Sequence, residues 1–286
     1  MSESVEVFTR IVGDIESHKL ACLEMERVIA ESRFAERAEK LHNCGTYVRL
    51  QEDADSGRLN VVYSNFCRQR LCPLCAWRRS LKTFLHVGTI VERLDGFEWL
   101  HVVLTVPNCA AADLPDTLTS LYSRSRALFR NPRLSAWEGV FRATEVTYSP
   151  ARDDFHPHLH CLVAVRPGYF KGRIYVSQKL LQELWGGNLV WVRRVKDKLS
   201  AVAEVSKYAT KPVSLRDGGV VAYEALQGAL HGRRLIQTFG VIDDARKALN
   251  VEFDADDAQD RTNGAFDFTA LYWDFRRGCY TWKNGG

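Results

Sequence analysis

Two apolar segments joined by a short polar turn constrain the fold of this chain more than any other feature. Residues 140–148 and 158–165 are rich in β-branched and other apolar side chains, and the polar residues 149–154 separate them. This pattern predicts a long antiparallel hairpin. The other predicted elements are strands at 99–106 and 188–195, and helices within 4–41 and at 114–131, 177–186, 199–210 and 221–231. Because both hairpins and helices separate the strands, we predict an α+β fold with a central antiparallel β-sheet flanked by helices.

The composition is that of a globular protein. Of the 286 residues, 46% are hydrophobic and 26% are charged, with a net charge of +4, which excludes wholesale disorder and fibrous repeats. No apolar run approaches the ~18 residues that a membrane span needs, so we expect no membrane partner. Acidic residues stand where a signal peptide is basic and apolar. We therefore expect a cytoplasmic protein, in which clustered cysteines bind metal more often than they form disulfides.

Charge is unevenly distributed along the chain. Residues 66–82 contain five basic and no acidic side chains, whereas residues 243–260 contain seven acidic ones. A basic surface is typical of nucleic-acid binding, although a solvated charged face would show the same pattern. The candidate DNA-binding residues in the basic segment are Arg68, Arg70, Arg78 and Arg79.

Two histidines lie on the second strand of the predicted hairpin. His158 and His160 project from the same face, because side chains two residues apart on a strand point the same way. If the turn centres near residues 151–152, Glu145 is the cross-strand neighbour of His158. Two imidazoles and a carboxylate could bind a metal ion, with His156 as a weaker ligand candidate. The alternative is a pair of hydrogen-bonded histidines on a half-buried strand.

The predicted helix at 199–210 carries a tyrosine among charged residues. Glu204 precedes Tyr208 by four residues and Lys211 follows it by three, so the three share one helix face. A phenol becomes a nucleophile when a metal polarises the electrophile and a nearby base or cation favours the phenolate. A surface ion pair beside a packed ring would give the same spacing.

Three cysteines lie within nine positions. Cys67, Cys72 and Cys75 form a C-x4-C-x2-C pattern, whose C-x2-C turn presents two thiolates to one ion. Structural Zn²⁺ takes four tetrahedral ligands, and either Cys44 or His42 could complete the set. The flanking arginines could present positive charge to phosphates. Buried free thiols are the alternative.

Together these segments resemble a known family. Leu104-Thr-Val-Pro-Asn108 at a strand end, His156-Pro-His-Leu-His160 on a second strand and Glu204-x-x-Lys207-Tyr208-x-x-Lys211 occur in that order. They resemble the three motifs of rolling-circle replication initiators of the HUH endonuclease superfamily, in the small-plasmid Rep group with one tyrosine and a glutamate four residues before it. The cysteine spacing before them is also similar to that group, and the resemblance covers roughly residues 40–245.

The resemblance implies a central antiparallel sheet with the histidines on a middle strand and the tyrosine on an adjacent helix. It implies Mg²⁺ or Mn²⁺ on His158 and His160, and attack by Tyr208 on one phosphodiester of a plasmid origin, leaving a 5′-phosphotyrosine and a free 3′-OH. Lys207 and Lys211 match family lysines that stabilise charge on the phenolate or phosphate. Expected partners are single-stranded or hairpin origin DNA, a host helicase and other replication proteins.

Two other functions remain open on the sequence alone. A transposase or mobilisation relaxase would use the same chemistry, and a non-catalytic zinc-containing DNA-binding regulator would need none. We expect four segments, namely an N-terminal helical segment (1–40), a cysteine-rich segment (41–82), a catalytic core of the HUH type (83–215) and a helical, acidic C-terminal extension (216–286).

Overall fold

A computed structural model describes residues 3–52, 59–208, 215–253 and 269–282. The chain forms two compact units, of which one comprises Met1–Trp77 with Ala255–Gly286 and the other comprises Arg78–Asp254. The division into four segments stays a prediction. Among the described helices, none is both long and apolar enough to span a membrane.

The described part of the chain contains nine strands and eight α-helices. The strands are β1 (Tyr47–Glu52), β2 (Leu59–Ser64), β3 (Glu98–Thr105), β4 (Trp137–Ser149), β5 (Asp154–Val165), β6 (Val190–Arg194), β7 (Ile236–Gly240), β8 (Thr269–Asp274) and β9 (Cys279–Trp282). The α-helices are α1 (Glu3–Ala30), α2 (Ala38–Asn43), α3 (Pro73–Arg93), α4 (Leu114–Phe129), α5 (Gln178–Leu184), α6 (Lys198–Tyr208), α7 (Leu215–Leu230) and α8 (Val241–Ala248). Helix α7 is kinked at Gly219, whose φ of 54° lies in the left-handed region that glycine tolerates.

The larger unit is built around a five-stranded antiparallel sheet with the strand order β6-β3-β5-β4-β7. Strand β5 is therefore in the middle, and β4 and β5 form the predicted hairpin. Glu145 lies directly opposite His158 in its register. The α+β class and the central antiparallel sheet are confirmed.

Helix α6 packs on the face of this sheet that carries the paired histidines. Ala201, Val202 and Val205 of the helix belong to one buried cluster with Phe141 and Leu162 of the sheet. Phe141 lies four residues from Glu145 on β4, and Leu162 lies two residues from His160 on β5. Because residues an even number apart on a strand point to the same side, Phe141 and Leu162 share a face with Glu145 and His160. Alternation along β4 and β5 thus places the helix on the same side as the candidate metal ligands.

The smaller unit contains a second antiparallel sheet, with the order β2-β1-β8-β9. We predicted only one sheet, and we expected the C-terminal extension to be helical and acidic. That extension contains the helices α7 and α8 and also two strands, of which β8 pairs with β1, where Tyr47 lies opposite Tyr272, and β9 pairs with β8. Val48, Leu50 and Leu271 are buried on the inner face, so the hydrophobic effect holds the two distant segments together.

Candidate metal centre and tyrosine helix

Three side chains of β4 and β5 converge on one point. The Nε2 atoms of His158 and His160 lie 2.6 Å and 3.1 Å from Oε2 of Glu145. All three residues are buried. The convergence follows from the strands themselves, since the histidines share a face and Glu145 stands opposite His158.

The charge states of Glu145 and His160 suit cation binding. Burial raises the pKa of Glu145, but hydrogen bonds with both imidazoles outweigh this effect and hold it at about 2. Burial also lowers the pKa of His160 below its ordinary value, against the opposing effect of Glu145. A cation that takes the place of the Nε2 protons in these hydrogen bonds would bind a charged carboxylate and the lone pair of a neutral imidazole at neutral pH.

The donor set fits a divalent ion. One ligand atom from each of Glu145, His158 and His160 lies within 4.8 Å of the others. Neighbouring ligands of an octahedral ion with bonds of 2.0–2.1 Å are about 3 Å apart, close to the two nitrogen–oxygen distances. The two imidazoles and the carboxylate would fill three positions of an octahedral ion and leave the others for substrate oxygens.

Hydrogen bonds on the far side of each imidazole orient the rings. Nδ1 of His158 lies 3.1 Å from the backbone oxygen of His156. When Nδ1 carries the ring proton, it donates a hydrogen bond to that oxygen, and Nε2 is left with a lone pair for a metal ion. Nδ1 of His160 lies 3.4 Å from Nε2 of His101 on β3. His156, the weaker ligand candidate, thus contributes a backbone oxygen here, and its side chain does not belong to the convergent group.

His101 is a site residue that the sequence analysis missed. It is only 3% exposed, and burial, followed by the charges of His160 and Arg193, lowers its pKa to about 4. It is therefore neutral at neutral pH and can accept a hydrogen bond. The sequence does place His101 in a strand, at 99–106, that was predicted to be buried. A single histidine in an apolar segment is, however, also typical of the core.

Helix α6 brings Glu204 into electrostatic range of His101 and His160. Burial lowers the pKa values of both imidazoles, and the charge of Glu204 opposes that shift. Tyr208 is the last residue of the helix, four positions after Glu204. The side chains of Lys207 and Tyr208 and the whole of Lys211 lie outside the described part of the chain.

Four cysteines cluster in the smaller unit. Sγ of Cys44 lies 3.6 Å from Sγ of both Cys72 and Cys75, and Cys67 lies 3.7 Å from Cys75. Four sulfurs at 2.3 Å from a tetrahedral Zn²⁺ would be about 3.8 Å apart. Of the two candidates for the fourth position, the structure places Cys44 in the cluster. His42 instead pairs with Glu26.

A buried lysine and a fifth thiol adjoin this cluster. Lys19 is fully buried and donates hydrogen bonds to the backbone oxygens of His42 and Cys44. Burial lowers its pKa, and the neighbouring thiols oppose that shift. Its positive charge would offset part of the net charge of −2 that four thiolates and one Zn²⁺ carry. Cys22, predicted to be a packing or surface thiol, is buried with its Sγ 3.5 Å from that of Cys72.

Comparison with known proteins places the chain in a family. The family described as Replication protein matches residues 58–284. A protein named Protein rep from a Bacillus species is 34% identical over 268 residues, which cover 82% of this chain and 87% of that protein. Another Protein rep, from Bacillus amyloliquefaciens, is 31% identical over 87% of this chain and 86% of its own length. The chain belongs to the Replication protein family. No solved structure matches it significantly.

The family assignment confirms that the motifs identify a plasmid replication initiator of the rolling-circle type. A Protein rep from Streptococcus pneumoniae serotype 2 extends the similarity, at 29% identity over 94% of this chain and 91% of that protein. The single-tyrosine chemistry and the roles of individual residues stay predictions.

The predicted DNA-binding arginines of this replication protein lie on two elements. Arg68 and Arg70 lie in the cysteine-rich loop between β2 and α3, and Arg78 and Arg79 lie on α3 itself. Arg68 has a positive φ of 58°, a strained conformation for a residue with a side chain. The turn that it makes lies between Cys67 and Cys72, two of the four clustered cysteines.

Proposed function

We propose that this replication protein nicks and rejoins one strand of plasmid origin DNA through a tyrosine-linked intermediate, as an endonuclease of the HUH type. The observation that carries the proposal is the convergence of Glu145, His158 and His160 on the face of the sheet that α6 covers. That helix carries Glu204 and ends at Tyr208. The helix that ends at Tyr208 thus lies on the same side of the sheet as the carboxylate and the two imidazoles.

In the nicking step, Oη of Tyr208 attacks the phosphorus of one phosphodiester. The phenol loses its proton to solvent, the bond from phosphorus to the 3′ oxygen breaks, and that oxygen takes up a proton, so the products are a 5′-phosphotyrosine and a free 3′-OH. Bound Mg²⁺ or Mn²⁺ would withdraw charge from the phosphate oxygens. Glu145, His158 and His160 would hold that ion, and Lys207 and Lys211 would offset the charge of the phenolate and the phosphate.

Glu204 supports a second step. When the origin is regenerated after one round of replication, Tyr208 is already attached to a 5′ end, so another nucleophile must cut. We propose that Glu204 accepts a proton from a water that attacks the regenerated origin phosphate. Hydrolysis would end the cycle, because it leaves no new phosphotyrosine linkage.

The remaining parts of the proposal concern binding partners and location. Cys44, Cys67, Cys72 and Cys75 would hold a structural Zn²⁺, for which their sulfur–sulfur distances are suited. Arg68, Arg70, Arg78 and Arg79 would contact DNA phosphates. The protein would act in the cytoplasm on single-stranded or hairpin origin DNA and would cooperate with a host helicase.

The test is a nicking assay on supercoiled plasmid carrying the cognate origin, with Mn²⁺ and purified protein. We expect relaxed plasmid and protein-linked 5′ ends from the wild type, and neither product from His158→Ala or His160→Ala. Tyr208→Phe should likewise give neither product, and Tyr175, which is 51% exposed, offers its matched control, since Tyr175→Phe should nick normally. A non-catalytic DNA-binding regulator would bind the origin and leave it intact.

A further inference from the structure

The strand β6, at one edge of the larger sheet, carries an aromatic and a basic side chain on the metal-site face. Trp191 lies opposite Val103, and Val103 lies opposite His160. In the next row on this face, Arg193 lies opposite His101. Directly paired residues of neighbouring strands point to the same side of a sheet. Trp191 and Arg193 therefore share a face with His160.

The indole of Trp191 is exposed but held in place. It is 45% exposed, whereas tryptophan is highly buried on average. Its ring is nearly perpendicular to the His101 ring at a centroid distance of 5.4 Å, and the guanidinium of Arg193 lies over the indole, 5.3 Å from its centroid. Leu189, on the same face, is 73% exposed. A rigid indole with a cation beside it is the kind of surface on which an unpaired base stacks.

The position of this surface suits a DNA strand that enters the metal site. Trp191 is two strands from His160, which corresponds to about 10 Å at the usual strand spacing. That distance is roughly three nucleotides at about 3.4 Å per nucleotide of a stacked strand. A base on Trp191 would therefore belong to the same strand as the cleaved phosphate and lie close to it.

We propose that Trp191 and Arg193 bind the single-stranded DNA next to the cleavage site. The base stacks on the indole, and the guanidinium contacts a neighbouring phosphate. The partner is single-stranded, because a base in a duplex has both faces covered by its neighbours. The inference rests on the proposed nicking function and adds to it the surface that holds the strand.

Arg194 and Phe170 provide a matched control on the other side of β6. The guanidinium of Arg194 lies 4.2 Å from the centroid of the Phe170 ring. Arg194 points to the opposite face because it is the next residue along the strand. Substituting this pair removes an aromatic ring and a guanidinium, the same kinds of group, without touching the proposed DNA surface.

The test measures binding of a fluorescein-labelled single-stranded origin oligonucleotide without divalent metal, so that no cleavage occurs. Trp191→Ala should weaken binding by roughly 5- to 150-fold, the range for losing one base–aromatic stack. Trp191→Phe should retain most of the affinity, and Phe170→Ala should leave it unchanged. Arg193→Gln should reduce the slope of log affinity against log salt by about 0.7, and Arg194→Gln should not.

A second measurement locates the stacked base. 2-Aminopurine is placed at successive positions within five nucleotides of the cleaved phosphate. We expect wild type to quench it at one of them and Trp191→Ala to quench it at none. If wild type nicks the origin but Trp191→Ala binds and quenches as wild type does, the stacking site is wrong. If wild type does not nick at all, the proposed function fails instead. Unchanged thermal unfolding of the Trp191→Ala protein checks that the variant is folded.

Discussion

The contact between His101 and His160 predicts that His101 positions a metal ligand. For His160 to bind an ion through Nε2, its Nδ1 must carry the proton and point that proton at an acceptor. Nε2 of His101, at 3.4 Å, is the acceptor that the structure provides. Replacing His101 with phenylalanine keeps a flat ring of similar size at this buried position and removes the acceptor. We expect the variant to fold and to bind Mn²⁺ more weakly.

The size of the effect follows from the length of the contact. Loss of a hydrogen-bond partner behind a metal ligand typically reduces metal affinity 10- to 100-fold. The distance of 3.4 Å between the ring nitrogens is longer than a strong hydrogen bond of 2.7–3.2 Å. We therefore expect the lower end of the range, about a tenfold loss, which corresponds to about 1.4 kcal/mol.

Electron paramagnetic resonance of free Mn²⁺ measures this affinity directly, without DNA and without catalysis. His101→Gln is the informative companion, because the amide oxygen can accept the bond from His160, and we expect it to restore part of the affinity. The reasoning is refuted if His101→Phe binds Mn²⁺ as tightly as wild type does. It is also refuted if glutamine and phenylalanine weaken binding equally.

Three further predictions concern the other parts of the molecule. Cys72→Ser should lower both the zinc content by elemental analysis and the midpoint of thermal unfolding, whereas Cys279→Ser, outside the cluster, should change neither. Asp243→Asn should cost about 1–2 kcal/mol in urea unfolding at pH 7, because the carboxylate accepts a hydrogen bond from Thr238 at 2.7 Å and lies in the first turn of α8. Burial raises the pKa of Asp243, but its hydrogen bonds outweigh this and lower it to about 2, so the difference should shrink as the pH falls from about 4 to 2. Glu204→Ala should still form the phosphotyrosine adduct but release multimeric displaced strands from a two-origin plasmid. Termination as efficient as that of wild type would contradict its role as a base.

The hairpin that positions the metal ligands could be predicted because its determinants are local. The apolar segments and the turn are contiguous, and a period of two residues decides which side chains share a face. A turn centred near residues 151–152 therefore sufficed to place Glu145 opposite His158, as the register shows. The sequence order of the three motifs likewise predicted the family.

The second sheet and the missed residues depend on contacts between distant segments. Nothing near Tyr47 indicates that its strand pairs with the one containing Tyr272, more than 200 residues later. The choice of Cys44 over His42 likewise depends on how α2 meets the cysteine loop. Trp191 and His101 become neighbours only because β6 joins β3 at the edge of the sheet. The hydrophobic periodicity of a segment predicts the secondary structure of that segment, but it does not predict which strands are neighbours in a sheet.

The attachment of DNA to one tyrosine is the most direct test of the account. Wild type and Tyr208→Phe are incubated with Mn²⁺ and a radiolabelled single-stranded origin oligonucleotide. The protein is then digested with trypsin, and the peptide that carries the label is sequenced by mass spectrometry. The account predicts that the 5′ phosphate of the cleaved strand is attached to the peptide containing Tyr208, and that Tyr208→Phe binds the oligonucleotide but forms no adduct. An adduct on another residue, or an undiminished adduct in Tyr208→Phe, would contradict it.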